Sequence, residues 1–304
     1  MRYIVSCISI VNDIEYRERP SEKAVLGGGV YAASGIKLWT DDVIFVTTAG
    51  PDYLDFYGDY FHKNGYSERG IVYTLPHTHH TVLRYGEDGS WEETSVFSPD
   101  YFREQYENTM NRASYITPFC DDKTRGIFID SGATEKIFGE IDMIRRAASN
   151  AKIMWEIPTF SSENRELREL VEQNIRLFDI FSLNIPEAKS LFGTDSFEEI
   201  SKKITQLGVP CFLRAGKKGA YYIDKNVCAF EPSIDVGIAL DPTGCGNSST
   251  AAALYGLCEG FTPKKLLCAA NITAGCNILS KGPMQTPAEH RSLAEKLLFE
   301  LSLQ

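Results

Sequence analysis

From about Ser114 onward, short apolar runs rich in β-forming residues alternate with longer stretches of helical spacing. "GIFID" precedes "EKIFGEIDMIRRAASN", and "AKIMWEI" precedes "RELRELVEQNIRLF". "DIFSLN" leads into "PEAKSLFG" and "FEEISKKITQLG", then "PCFLRAG" follows, and "AYYID" opens a closing hairpin. A helix between successive strands forces a crossover, so the strands lie parallel in a sheet covered on both faces. The fold class is therefore α/β with a mainly parallel central sheet, and its ligands belong beyond the carboxyl ends of the strands.

The front of the chain adds to this pattern. Tyr3 to Val11 reads as a first buried strand, followed by the polar "NDIEYRERPSEKAV" and a glycine triplet at Gly27 to Gly29. "VYAASGIKLW" has helical spacing, "DDVIFVTTAG" reads as a second strand, and "YLDFYGDYFHKNG" is amphipathic. "TVLRY" and "SWEETSVF" flank "GEDG" as a hairpin. With the earlier polar stretch, it is expected to form a small sheet apart from the main body, from segments of about 12–26 and 71–98. No linker or repeat divides the chain, so residues 1–304 read as one domain.

Of the 304 residues, 43% are apolar and 24% charged, ordinary values for a soluble globular chain. The net charge of -10 argues against nucleic acid or an anionic membrane surface as the main partner. The eight cysteines include no C-x-x-C pair, which fits buried thiols in a reduced, cytoplasmic setting. The opening "MRYIVSCISIVND" is too short and too soon polar for a signal peptide, and no apolar run is long enough to span a membrane. His77, His79 and His80 in "HTHH" lack Cys, Asp or Glu at ligand spacing, so they read as a solvated edge rather than a zinc site.

The chemistry concentrates in "DPTGCGNSST", Asp241 to Thr250, which runs directly into the apolar "AAALYGLC". Gly244 and Gly246 permit a turn whose N–H groups converge, and the following helix adds its positive end. Alone, the segment is equally a capped helix start. Its companions matter: "LNIPEAKSLFG" with Asn184 and Glu187 as N-x-x-E, "LRAGKKGAYYI", "GGGVYAASGIKLW" and "AANITAGCNILSKG".

In this order the motifs resemble the ribokinase-like (phosphofructokinase-B) carbohydrate kinase family over nearly the whole chain. The resemblance implies a ribokinase-like three-layer α/β sandwich with a small β lid, use of ATP and Mg2+, and frequently a homodimer formed through the lid. The family's D-T-x-G-A-G-D signature stands here as D-P-T-G-C-G-N. It places an anion hole at Gly244, Cys245 and Gly246, and the catalytic position at Asn247. Asp13 matches the aspartate that binds sugar hydroxyls, and Gly27 and Gly28 the glycine pair that lets the backbone approach the sugar. The family's nearby asparagine has no clear counterpart. Asn184 and Glu187 match the box that organises magnesium, with Glu187 reaching it through water. Arg214, Gly216, Lys217 and Gly219 match the turn at the ATP phosphates, and Asn271 a position near the adenine. Asp241 is expected to hold the loop or to serve a monovalent cation.

The family's last signature residue is a carboxylate that takes the acceptor's proton, and the amide of Asn247 cannot. Positioning and charge neutralisation supply most of the rate of phosphoryl transfer, so a slower kinase, or one using another base, remains open. So do a non-catalytic sugar- or nucleotide-binding relative and a nucleoside kinase of the same fold.

Overall fold

The buried runs of the sequence become one large sheet in the computed structural model, which describes residues 2–16, 20–85 and 91–303. In chain order the strands are β1 (Tyr3–Ser6), β2 (Ser9–Tyr16), β3 (Glu22–Gly28), β4 (Val43–Ala49), β5 (Ile71–Tyr73), β6 (His79–Tyr85) and β7 (Trp91–Ser95). Then follow β8 (Gly126–Asp130), β9 (Lys152–Glu156), β10 (Ile180–Asn184), β11 (Cys211–Arg214), β12 (Gly219–Ile223) and β13 (Cys228–Pro232). The longer helices are α1 (Val30–Trp39), α2 (Tyr53–Asn64), α3 (Ile141–Ala147), α4 (Arg168–Ile175), α5 (Ile185–Phe192), α6 (Phe197–Leu207), α7 (Cys245–Cys258), α8 (Pro263–Asn277) and α9 (Arg291–Leu303).

Among the described residues the large sheet runs β13-β12-β11-β10-β9-β8-β1-β4-β5. Every pairing from β11 to β5 is parallel, and β12 and β13 close one edge antiparallel. Every residue of β1 and β4 is buried, as a parallel strand covered on both faces requires. On one face Ile4, Ile127, Ile153 and Phe181 pack with Ile144, Val171, Leu191 and Ile200 of α3 to α6. On the other, Val5, Phe128, Met154, Ile180 and Phe212 pack with α1, α7 and α8. The small residues of α1 allow close crossing: a Cβ on Gly35 would overlap the Ser248 carbonyl of α7.

A separate four-stranded sheet has the order β3-β2-β6-β7. It departs from the sequence reading in two places. The first apolar run breaks after Ser6, and its second half continues as β2 into the polar stretch, where burial alternates from Ser9 to Asn12 and the pairing with β3 shifts register between Asn12 and Ile14. Ile71 to Tyr73 pair with β4 in the large sheet, so the second segment of the small sheet begins at His79. The turn "GEDG" lies outside the described residues. Elsewhere, the helix expected over 135–150 opens as a 3-10 turn at Lys136–Glu140 and is α-helical only from Ile141; Gly139 lowers helical propensity there. No helix among the described residues is long and apolar enough to cross a membrane.

Candidate active site

α7 starts at Cys245 because the turn before it is locked. Asp241 Oδ1 accepts the Thr243 N–H at 2.9 Å, and Asn277 Nδ2 donates to the Thr243 carbonyl at 2.9 Å. Gly244 caps the helix at φ 74°, a left-handed conformation that favours glycine, and a Cβ there would overlap the ring of Tyr31. The Cys245 N–H turns back to the Pro242 carbonyl at 3.2 Å, so within the expected anion hole that donor is committed. Gly246 and Asn247 supply first-turn N–H groups at the positive end of the helix. A Cβ on Gly246 would overlap the guanidinium of Arg214, so this turn and Arg214 face each other directly.

Beneath α7 the carboxyl ends of the strands form a polar row. Asp130 and Glu156 are register partners on β8 and β9, and Glu156 and Ser182 are partners on β9 and β10. Each lies two residues past an apolar side chain packed under α7 and α8, so all three point to that face. Ser182 Oγ lies 3.1 Å from Thr250 Oγ1 of α7, and Cys7 Sγ donates to Asp130 Oδ2 at 3.3 Å. Arg214 closes the row, with Nη2 2.5 Å from Glu156 Oε1 and 3.4 Å from Glu187 Oε2.

Glu156 and Glu187 thus share one guanidinium, and Asp130 lies beside Glu156 at the cavity edge without an ion pair to it. Burial pushes the Asp130 carboxyl up to about 6 and that of Glu156 up to about 7, with Arg214 opposing in both cases. Sequence reasoning passed over Asp130 and Glu156. Their only signal is a lone carboxylate ending each of the apolar runs "GIFID" and "KIMWE".

Asn184 and Glu187 form a reciprocal capping box at the start of α5. Asn184 Oδ1 accepts the Glu187 N–H at 2.8 Å, and Glu187 Oε2 accepts the Asn184 N–H at 2.7 Å. Thr159 Oγ1 donates to Glu187 Oε1 at 2.8 Å. With both oxygens engaged, Glu187 fits magnesium through the ion's own water shell rather than by direct ligation.

Two cavities flank the row. The larger, about 570 Å³, is lined by Arg214, Gly216, Lys217, Gly219, Gly246 and Asn271 among others, which brings the expected nucleotide residues together. Asn271 lines it while donating Nδ2 to the carbonyls of Glu231 and Pro232 at 3.0 and 2.9 Å, so its amide also ties down the segment after β13. The second cavity, about 550 Å³, has Asp130 and Glu135 among its polar residues and Phe102, Tyr106 and Phe160 in its wall. Glu135 accepts the Gly132 N–H at 2.6 Å, and burial raises its carboxyl to about 7.

The small sheet turns Asp13 and its neighbour Asn12 to opposite faces. A Cβ on Gly27 would overlap the Asn12 amide, and Asn12 pairs in register with Thr81, whose Oγ1 donates to Asn12 Oδ1 at 2.9 Å. Asp13 points the other way, to Lys23 Nζ at 2.9 Å, the Ala24 N–H at 2.9 Å and His80 Nε2 at 3.2 Å. The structure therefore brings Asn12, not Asp13, to Gly27. Strand alternation is the cause, since adjacent residues face opposite sides. Of the three histidines, His79 is fully buried and stacks on Phe102 at 4.2 Å, His80 faces Asp13, and His77 is exposed near Asp52.

Residues 124–291 match the pfkB family carbohydrate kinase domain. A ribokinase of Arabidopsis thaliana is 30% identical over 130 residues, 40% of this chain and 34% of that protein. The matched stretch thus spans about a third of that curated relative's length. Among solved structures, fructokinase from Vibrio cholerae O395 with fructose, ADP and calcium bound has a TM-score of 0.75 at 18% identity, covering 98% of this chain and 99% of that one. The nucleoside kinase of Burkholderia thailandensis in complex with inosine has a TM-score of 0.72 at 16% identity, covering 98% and 97%. At such identities the two structures establish a shared ribokinase-like fold. The domain match covers more than half of the sequence, and the chain belongs to the pfkB family of carbohydrate kinases.

Proposed function

We propose that this chain transfers the γ-phosphoryl group of MgATP to a hydroxyl of a sugar or sugar-bearing small molecule. One observation carries the reading: the two cavities share a polar wall. Arg214 lines the larger and Asp130 the second, while Glu156 is ion-paired to one and in register with the other. A nucleotide in the larger cavity would direct its terminal phosphate at the N–H groups of Gly246 and Asn247 and at Arg214. An alcohol in the second would meet it across the wall.

In this reading the chain supplies position and charge, which dominate phosphoryl transfer. The α7 terminus and Arg214 hold the transferring group, and Lys217 stands at the phosphate path. Glu187 would hold a magnesium ion through water, and the ion when bound would supply neutralisation of the phosphate charge. Asn12, standing against Gly27 outside that cavity's lining, would meet the acceptor from the side of the small sheet, which excludes water that would otherwise compete as acceptor. Asn247 orients the hydroxyl by hydrogen bonding.

The aromatic wall of Phe102, Tyr106 and Phe160 favours a second reading, in which the acceptor carries a flat ring, as a nucleoside does. Fructose and inosine, bound in the two relatives, mark the two classes to try. The amide at 247 keeps a third reading open, a binder without turnover.

A coupled ATP-to-ADP assay over sugars and nucleosides, run on wild type and Asn247→Asp, tests all three. Turnover by wild type above its acceptor-free rate supports the kinase, and the best acceptor decides its class. MgATP binding with no turnover by either protein supports the binder. Absence of nucleotide binding removes the proposal.

A further inference from the structure

We propose that Asp130, backed by Glu156, takes the acceptor's hydroxyl proton in place of a carboxylate at position 247. This rests on the kinase reading above and assigns its missing base. As the acceptor oxygen bonds to the γ-phosphorus, the bond from that phosphorus to the bridging oxygen of ADP breaks. ADP leaves with the electron pair, and the hydroxyl proton passes to a carboxylate oxygen of Asp130.

Placement is the first argument. Thr250 Oγ1 lies 3.1 Å from Ser182 Oγ, in the same register row as Glu156 and Asp130. Asn247 precedes Thr250 by three residues and so shares its helix face, about one turn nearer the cavities. The position that lacks a carboxylate therefore overlooks a row that has two.

Access is the second. Glu156 is buried, whereas Asp130 lines the second cavity at the end of β8. Glu135 lines the same cavity, but its two oxygens already accept the Gly132 and Asn111 N–H groups, so the proton acceptor that meets an alcohol there is Asp130.

Charge is the third. The groups facing Asp130 are Cys7 just past β1, Glu156 from β9, Glu135 from the segment after β8, Glu187 from α5 and Arg214 from β11. Arg214 is committed to Glu156 and Glu187, and the side-chain donor shown on Asp130 is the weak thiol of Cys7. Asp130 thus keeps acceptor capacity that an ion pair would have consumed. Burial holds its carboxyl near 6, ionised at neutral pH yet more basic than an ordinary aspartate.

The test compares wild type, Asp130→Asn, Asn247→Asp and the double variant for kcat and acceptor KM, using the best acceptor of the panel. MgADP affinity and cooperative unfolding report an intact fold. Asp130→Asn should lower kcat about 10²-fold or more. Adding Asn247→Asp should return most of that loss, a rescue that a merely structural role for Asp130 would not give. Asp130→Asn with kcat within about threefold of wild type, or a loss that Asn247→Asp leaves in place, overturns the proposal.

Should Asp130→Asn fail to unfold cooperatively, Glu156→Gln serves. It frees Arg214 toward Asp130 and should move the acid limb of kcat/KM to lower pH; an unmoved limb overturns the proposal. Turnover by Asn247→Asp alone, with wild type inert, removes this base while leaving the kinase scaffold. Turnover by neither removes the kinase reading itself.

Discussion

The amide of Asn12 stands against Gly27, on the face of β2 that Asp13 turns away from. Asn12 can both donate to and accept from a bound hydroxyl, and its Oδ1 is fixed by Thr81. Asn12→Ala should raise the acceptor KM about tenfold, the worth of a hydrogen bond of about 1.4 kcal/mol. Asp13→Ala should leave that KM within about twofold while costing about 1 kcal/mol of stability through its lost bond to the Ala24 N–H. Steady-state kinetics and urea unfolding of the two variants check the pair, and the reverse pattern would return the acceptor role to Asp13.

That one-residue difference shows where sequence stops. The strands from Gly126 to Ile223 were legible because each is a β-rich run bounded by helical spacing, and tertiary packing agrees with local pattern there. The glycine turn at Gly244 and the box at Asn184 were legible because local backbone geometry needs those residue types. Asp13 against Asn12 was not, since the face a strand residue takes depends on register, and β2 continues past a break that no residue type marks. Asp130 and Glu156 were not either. Nothing local distinguishes them from other carboxylates at strand ends, and their meaning comes from lying side by side under α7.

Arg214 is the single cation of the buried row, and its removal leaves Glu156 and Glu187 without a counter-charge. Breaking a buried pair in this way typically costs about 3–5 kcal/mol. Arg214→Gln should lose stability of that order and weaken MgADP binding, because the same guanidinium faces Gly246. Arg214→Lys should lose less stability, since a charge remains, but it cannot reproduce the fork that reaches two carboxylates. Chemical denaturation alongside calorimetric MgADP titration separates the effects; equal stability for Arg214→Gln and wild type would contradict the ion pairs.

His79 carries a pH signature of its own. Burial lowers its imidazole from 6.5 to about 4, so it stays neutral in the fold while the unfolded chain takes up a proton below 6.5. A depressed value contributes stability that is full above 6.5 and drains away as pH falls toward 4, at about 1.4 kcal/mol per pH unit within that window. Asp130, Glu135 and Glu156 have raised values and act with the opposite sign, so the wild-type curve alone mixes the two. The difference between wild type and His79→Gln isolates the histidine. Between pH 6 and 5 wild type should lose about 1.4 kcal/mol more than the variant. Parallel stability curves would mean that the ring is not held neutral.

Asn271 couples the nucleotide cavity to the edge of the large sheet. One side-chain nitrogen serves the carbonyls of both Glu231 and Pro232, at the end of β13, and the residue is only 7% exposed. The segment that follows, Ser233 to Gly237, forms part of the cavity wall. Asn271→Ala deprives two carbonyls of their donor, so it should cost about 1–3 kcal/mol of stability and loosen that wall. Asn271→Asp should be worse, because an ionised carboxylate would face two carbonyl oxygens with no proton to share. A residue that only contacted the adenine would show a different signature: weaker ATP binding with unchanged stability. If calorimetry and thermal unfolding show both quantities falling together in Asn271→Ala, the amide works through the wall. If affinity falls alone, its contact is with the nucleotide.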